Sequence, residues 1–110
     1  MINAKDELIS AIKDCGVIAA TVTRGDWYQP EKKHFLLKEH YSKADWNDFW
    51  EKLNFEYDNG DGGQELFGTV WLADGTWLER GEYDGSEWWE HRALPKIPDK
   101  LKSSKSPGEA

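Results

Sequence analysis

Apolar and polar residues alternate, with interruptions, along the stretch from Glu65 to Leu94. Aromatic and β-branched residues dominate its apolar positions, a composition typical of strands. Two Asp-Gly pairs, Asp74-Gly75 and Asp84-Gly85, divide the stretch into three runs. Asp-Gly between such runs favours a two-residue type I′ turn, because both residues tolerate positive φ. The pattern predicts a three-stranded antiparallel meander.

Two-residue loops fix a register in which Trp71 lies opposite Leu78 and Glu79 lies opposite Glu90. Each face of the meander then mixes large rings with charges. The predicted faces are Leu66, Val70, Leu72, Trp77, Tyr83 and Trp88 with Glu79, Glu90 and Arg92, and Phe67, Trp71, Leu78 and Trp89 with Arg80, Glu82, Glu87 and His91. We expect one face to pack on helices. On the other, Trp71 and Trp89 either form a binding surface or are shielded by the tail and by stacking of Arg80, a cation–π interaction worth roughly 0.5–2 kcal/mol.

Two segments upstream carry the spacing of amphipathic helices. The first runs from Asn3, a good N-cap, to Cys15, with Gly16 as its expected stop. The second runs from Ser42 to Leu53, where Ser42 and Asp45 form a short capping box. Its apolar residues recur at helical spacing and predict a core stripe. They are Trp46, Phe49, Trp50 and Leu53.

Short apolar, β-branched runs complete the pattern of elements. Residues 17–23 and 34–40 are expected to be paired strands, and residues 54–57 a short strand. Trp27 and Tyr28, in the intervening loop, either anchor it or form an exposed contact. The fold class predicted is α+β, in the order α-β-β-α-β-β-β, with about five antiparallel strands and both helices on one face. Residues 1–94 form the single domain, and the Pro/Lys/Ser-rich residues 95–110 are expected to be a disordered tail.

Charge is distributed unevenly along these 110 residues, whose net charge is −7. Residues 56–90 hold ten acidic residues and one basic residue, and residues 91–110 hold two acidic and five basic residues. The acidic block disfavours direct binding to nucleic acid and favours a basic protein partner. The single cysteine, Cys15, excludes a disulfide framework. We expect a cytoplasmic protein without a membrane segment.

The candidate chemistry is sparse. Glu79 and Glu90, opposite each other, are placed to act as acid and base, and His91 is a separate candidate base near Glu82 or Glu87, which leaves a small hydrolase as an alternative. The sequence has no Gly-rich phosphate loop and no HExxH motif. The loop at residues 58–63 lacks the first and last carboxylates of a calcium loop. We therefore expect no cofactor and no metal site.

The block GTVWLADGTWLERGEYDGSEWWEHRALPKIP and its lead-in NFEYDNGDGGQELFG resemble a small family of bacteriophage and prophage proteins. The resemblance covers roughly residues 54–98. It implies a phage setting in the bacterial cytoplasm. Small acidic phage proteins are often inhibitors of host enzymes, including the nucleases targeted by anti-CRISPR proteins, and that class is the analogy the resemblance suggests.

These observations favour a non-enzymatic protein that docks on the basic, nucleic-acid-binding surface of a host protein and inhibits it. The expected contact surface combines acidic side chains, two tryptophans and one arginine. Its residues are Trp71, Glu79, Arg80, Glu82, Asp84, Glu87, Trp89 and Glu90. Besides the hydrolase, a self-associating structural protein, or a homodimer that pairs through a sheet edge, remains an alternative.

Overall fold

The part of the chain that the structure describes forms two α-helices, a five-stranded antiparallel sheet and a two-stranded antiparallel sheet, which confirms the predicted α+β class. The computed structural model describes residues 1–25, 32–60 and 62–102. The elements are β1 (Ile2–Asn3), α1 (Ala4–Ile12), β2 (Val17–Arg24), β3 (Lys33–Leu37), α2 (Lys43–Lys52), β4 (Glu56–Tyr57), β5 (Leu66–Leu72), β6 (Trp77–Tyr83) and β7 (Ser86–Arg92). A 3₁₀ turn follows at Asp99–Leu101.

The large sheet has the strand order β3-β2-β5-β6-β7, and every pairing in it is antiparallel. It contains the predicted meander as β5-β6-β7 and the predicted pair β2-β3. The short strand predicted at residues 54–57 is observed as β4 at Glu56–Tyr57, but it pairs with β1 in the small sheet, a pairing that was not predicted. The two residues of β1 are too few for an alternation of apolar and polar positions to be visible in the sequence.

Both helices contribute to one hydrophobic cluster on the same side of the large sheet, as predicted. From α1 the cluster takes Leu8 and Ile12, and from α2 it takes Phe49 and Trp50. The strands supply its other large buried side chains, among them Val22, Phe35, Leu37, Tyr57, Leu66, Val70, Leu72 and Leu78. The opposite side of the sheet receives neither helix. No helix in the described part of the chain is long and apolar enough to cross a bilayer.

The two predicted helix starts are confirmed. The Asn3 side chain accepts the N–H of Asp6 at 3.0 Å, which caps α1. At α2, the Ser42 hydroxyl accepts the N–H of Asp45 at 3.0 Å, and the Asp45 carboxylate accepts the N–H of Ser42 at 3.1 Å. These reciprocal bonds satisfy backbone donors that have no partner within the helix.

The predicted end of α1 at Cys15 is wrong, because the helix stops at Ile12. Lys13 follows with φ 55° and ψ −126°, and the N–H of Cys15 donates to the carbonyl of Ile12 at 3.1 Å. These angles place Lys13 at the first central position of a type II′ turn, where glycine is usual. The turn redirects the chain into β2 before the helix can reach Gly16.

Replacing Lys13 with glycine is expected to raise the free energy of unfolding by about 1 kcal/mol. The substitution removes backbone strain of roughly 1–3 kcal/mol, and the greater freedom of glycine in the unfolded chain offsets part of that gain. Urea unfolding followed by tryptophan fluorescence measures the change. Lys13→Ala is the matched control, because it removes the same side chain and keeps the strain. Equal stability of the two variants would contradict the assigned turn.

The register predicted for β5 and β6 is wrong by one residue. Trp71 pairs with Trp77 and Thr69 pairs with Glu79. The loop has three residues instead of two: the N–H of Gly75 donates to Leu72 O at 3.1 Å, and Gly75 has φ +87°. This is a type I turn closed by a left-handed residue. A slip of one residue moves each side chain of a strand to the opposite face, so the predicted faces of the meander must be re-sorted.

The second hairpin has the predicted two-residue turn at Asp84-Gly85, with φ 51° and 88°. Its register is confirmed, including the pair Glu79 and Glu90. The predicted β3 is three residues longer at its end than the observed strand, which stops at Leu37. The alternatives for Trp27 and Tyr28 fall outside the described residues, as does the end of the predicted tail, residues 103–110.

Candidate functional site

The corrected register gives the C-terminal meander a helix-facing side and an uncovered side. Leu66, Val70, Leu72 and Leu78 are buried towards the helices. The other side has large, partly exposed rings, and no helix in the described residues packs on it. We call this side the open face; its meander residues are Phe67, Thr69, Trp71, Trp77, Glu79, Gly81, Tyr83, Trp88, Glu90 and Arg92.

Cross-strand neighbours on the open face form rows. Trp71 lies opposite Trp77, and Trp77 lies opposite Arg92. In the next row Glu79 is between Thr69 and Glu90. The rings Trp71 and Trp88 are 44% and 39% exposed, so each has one side available for contact. Two carboxylates thus lie between aromatic rows on a surface that the described helices leave free.

Trp88 takes its position from the residue opposite it. A Cβ atom at Gly81 would come within 2.7 Å of Nε1 and Cε2 of the Trp88 indole. The ring therefore lies over Gly81, in space that any larger side chain would fill. Because Gly81 has no side chain, the Trp88 indole can lie directly against the backbone of β6, beside the glutamate pair.

The Glu79–Glu90 pair is partly neutralised from within the open face. The Trp77 indole N–H donates to Glu79 Oε1 at 2.6 Å. Arg92 lies 3.8 Å from Glu79 through Nε and 3.3 Å from Glu90 through Nη2. Like charges directly across strands destabilise a sheet, so one arginine offsets the repulsion of two acids. Both carboxylates remain accessible, because each side chain is 44% exposed.

Arg80 and Glu87 were expected on an exposed surface, and that placement is wrong. Their side chains are 2% and 0% exposed and lie on the helix-facing side. Arg80 Nη2 donates to Glu87 at 2.5 Å and to the Tyr57 hydroxyl at 2.9 Å, while Nη1 donates to Glu7 at 3.1 Å. We call Glu7, Tyr57, Arg80 and Glu87 the Arg80 cluster. It connects α1, β4, β6 and β7.

Glu87 also satisfies two backbone donors within the core. Its carboxylate accepts the N–H of Glu65 at 2.7 Å and the N–H of Leu66 at 3.0 Å. With Arg80, these bonds compensate the cost of burying the charge. Glu87 therefore fixes the start of β5 against β7, which is a structural role.

Titration in the Arg80 cluster follows from its burial. Desolvation lowers the pKa of Arg80, but the charge of Glu7 and the contacts with Tyr57 and Glu87 together outweigh that effect, and the pKa is raised overall. Burial, together with the hydrogen bond to Glu7, raises the pKa of Tyr57 far above its usual value. The cluster therefore keeps a charged guanidinium and a neutral phenol.

Trp89 is half-buried and packs against the core. The Arg80 guanidinium lies over its ring, with Cζ at 4.9 Å from the centroid. Of the two alternatives left by the sequence, shielding by Arg80 holds for Trp89. Trp71 lies on the other face and is exposed, so shielding by Arg80 does not apply to it.

The remaining predicted residues, Glu82 and Asp84, are exposed at the turn between β6 and β7. Glu82 Oε1 accepts the N–H of Gly85 at 3.1 Å. The eight predicted contact residues are thus divided among three places. The open face holds Trp71, Glu79 and Glu90, the turn holds Glu82 and Asp84, and the interior holds Arg80, Glu87 and Trp89.

His91 is on the opposite side of β7 from Glu90, because adjacent strand residues face opposite ways. Its Nε2 lies 2.8 Å from the hydroxyl of Thr76, which donates to Asp74 at 2.5 Å. That hydroxyl bond, with a bond from the backbone of Thr76, lowers the pKa of Asp74. The Glu79–Glu90 pair and His91, the two candidates of the hydrolase hypothesis, therefore lie on opposite faces of the sheet.

Trp77, Trp88 and Arg92 share the open face with Glu79 and Glu90, as the predicted register of the second hairpin had grouped them, but they were not among the predicted contact residues. The ring that the predicted faces misplaced is Trp71, because the register of the first hairpin differs from the prediction by one residue. A depression of about 390 Å³ adjoins Trp71 and includes Ile18, Ala19 and Thr76. Among residues 1–25, 32–60 and 62–102, no group of three or more His, Cys, Asp or Glu side chains is arranged to bind a metal.

Comparison of the chain with protein-family models, with curated protein sequences and with solved structures finds no match.

Proposed function

We propose that this chain is a non-enzymatic binding protein whose open face docks on a basic surface of another protein. One observation supports the proposal: an uncovered sheet face places Trp71, Trp77 and Trp88 around two directly opposed, accessible carboxylates. Tryptophans within a charged rim are frequent at energetic hot spots. The two carboxylates repel each other in the free protein. A cation of the partner placed beside them relieves that repulsion, which favours binding.

Arginine and lysine side chains fit both components of the open face. A cation attracts the face of an indole ring and forms an ion pair with a carboxylate. The chain uses the same contacts internally, where Arg24 lies 4.0 Å from the Phe55 centroid and Arg80 lies over Trp89. The net charge of −7 supports a basic partner over an acidic one.

The mechanism we propose is steric occlusion supported by rings and a few charges. Imitation of the regular charge of DNA has less support, because Glu87 is buried and Glu82 and Asp84 lie at the turn. In the phage setting implied by the resemblance, the partner would be a host enzyme whose basic surface binds nucleic acid. Docking would cover that surface.

The test compares capture from bacterial lysate by the unchanged protein with capture by a Trp71→Ala, Trp88→Ala double variant. A captured protein is identified by mass spectrometry and purified, and its affinity is measured by calorimetry. The two truncations are expected to weaken binding roughly 30-fold or more, since a hot-spot side chain is worth about 2 kcal/mol or more. Binding should also weaken as salt is added.

Ile9→Ala is the matched control, because Ile9 is exposed to 43% on α1 and Trp71 to 44% on the open face. Circular dichroism establishes that each variant is folded. If Ile9→Ala reduces affinity and the tryptophan double variant does not, docking occurs through the helical side and the proposal is wrong.

A further inference from the structure

The segment that follows β7 is exposed along its whole described length. We call residues 93–102 the C-terminal arm. It presents three large apolar side chains to solvent: Leu94 is 78% exposed, Ile97 61% and Leu101 69%. Single exposed apolar residues are ordinary, but three within eight residues of one segment form an apolar stripe without cover. The arm therefore has the composition of a segment that packs against another surface.

Lysines are interspersed with that apolar stripe. Lys96, Lys100 and Lys102 lie in the arm and are exposed. The open face has the complementary composition, with aromatic rings around Glu79 and Glu90. Residues 91–110 have an excess of basic residues, and residues 56–90 have a large excess of acidic ones. Both the apolar and the charged groups of the arm thus have counterparts on the open face.

The backbone of the arm makes docking on its own open face unfavourable. Leu94 precedes Pro95 and Ile97 precedes Pro98, and a residue before proline is held in an extended conformation. A return onto its own sheet requires the chain to reverse directly after Arg92, within this stiff stretch. An extended arm is therefore better suited to reach a separate molecule.

Length is sufficient for such a contact. Seven extended residues at about 3.1 Å each and the three residues of the 3₁₀ turn at about 2.0 Å each span roughly 28 Å. Five strands spaced about 4.8 Å apart form a sheet roughly 20–24 Å wide. One arm can therefore cross the open face of another molecule.

We propose that the C-terminal arm of one copy of this chain lies across the open face of a second copy, and that reciprocal exchange forms a two-fold dimer. Leu94 and Ile97 pack against the indoles, and the lysines lie near Glu79 and Glu90. Reciprocity doubles the buried area, so each arm needs to bury only about 800 Å², counting both sides, for a specific interface of about 1,600 Å².

This inference uses the face assigned to the partner in the proposed function but does not depend on that partner. In the dimer the arms cover both open faces, so a basic partner competes with them. Without a partner, the arm of the second copy would cover the tryptophans of the open face until a ligand that binds more tightly displaces it.

Sedimentation equilibrium of the full-length protein, without any partner, tests the exchange over a wide concentration range. The unchanged chain is expected to be a dimer that dissociates on dilution and on addition of salt. An arm variant, Leu94→Asp with Ile97→Asp, and a face variant, Trp71→Ala with Trp88→Ala, are each expected to be monomers. Thr69→Lys, which keeps the tryptophans and repels the arm lysines, is a second face variant.

Mixing the two monomeric variants provides the decisive measurement. The arm variant has an intact face and the face variant an intact arm, so their mixture is expected to form a heterodimer held by one arm. A monomeric unchanged chain at all concentrations would overturn the proposal, as would a dimer that persists in the arm variant or in both face variants. If the unchanged chain is a monomer and only the arm variant differs from it in tryptophan emission, the arm packs on the open face of its own molecule. That outcome also overturns the proposed exchange. None of these outcomes alters the capture experiment, so failure here is distinguishable from failure of the proposed function.

Discussion

A Gly68→Ala substitution is expected to lower the free energy of unfolding by roughly 3–5 kcal/mol, the combined cost of overpacking and backbone strain. Gly68 is within β5 with φ +151°, and a Cβ atom there would overlap the carbonyl oxygen of Thr21 and lie 2.9 Å from the Cα of Val22. Both neighbours are backbone atoms of β2, the strand on which β5 pairs. Neither can move without separating two central strands.

Gly75→Ala is the matched control for this experiment. Gly75 also has positive φ, at +87°, but nothing lies within 4 Å of an added Cβ atom. Alanine there costs only the left-handed conformation, about 1 kcal/mol. Urea unfolding of both variants separates the close approach of two strands from backbone strain. If the two variants lose the same free energy of unfolding, the close approach of β2 to Gly68 adds nothing to the cost of alanine there, and this prediction is wrong.

Glu87→Gln is the second substitution with a large expected effect, a loss of about 3 kcal/mol in the free energy of unfolding, at the low end for breaking a buried ion pair. The carboxylate accepts from Arg80 and from the N–H groups of Glu65 and Leu66. An amide has only one acceptor oxygen, so its NH₂ group faces a buried donor in either orientation. Glu7 still accompanies Arg80, which moderates the loss.

Glu82→Gln is the control for Glu87→Gln, because the two glutamates are cross-strand partners and receive the same chemical change. Glu82 is exposed and accepts one backbone N–H, which an amide oxygen also accepts. The free energy of unfolding of the Glu82→Gln variant is expected to differ from that of the unchanged protein by no more than about 0.5 kcal/mol. Thermal unfolding of both variants gives the comparison, and a similar change in melting temperature for the two would contradict the structural role of Glu87.

Features that depend on local spacing were predictable from the sequence. Ser42 and Asp45 define their helix start by themselves, because both bonds of the capping box form within four residues. The stripe of α2 is equally local, and its members Phe49, Trp50 and Leu53 are buried as expected. The hairpin at Asp84-Gly85 follows from the positive φ that its turn requires.

The register of the first hairpin was not predictable from the Asp-Gly signal. Asp-Gly is compatible with a two-residue loop and also with a three-residue loop in which glycine takes the closing left-handed position. At Asp74-Gly75 the second form occurs, and the Asp74 carboxylate stabilises it by accepting the N–H of Thr76 at 3.0 Å. The one extra residue in this loop places Trp71 on the same face of the sheet as Glu79.

The burial of Arg80 and Glu87 depended on residues distant in sequence. Charged residues are seldom buried unless they are paired, so exposure was the reasonable expectation for a strand rich in acids. The pairing requires Glu7 from α1 and Tyr57 from β4, and neither is near β6 in the chain. No pattern within the meander indicates that these partners exist.

The bond between Glu7 and Arg80 spans 73 positions of the chain, and that separation has a consequence for biosynthesis. A ribosome adds roughly 5–20 residues per second, so Arg80 emerges roughly 4–15 s after Glu7. Until then α1 has neither its ionic partner nor the last two strands against which its apolar stripe packs. The nascent chain that precedes β6 is thus a candidate substrate for chaperones, and the native topology cannot form until β7 has been synthesised.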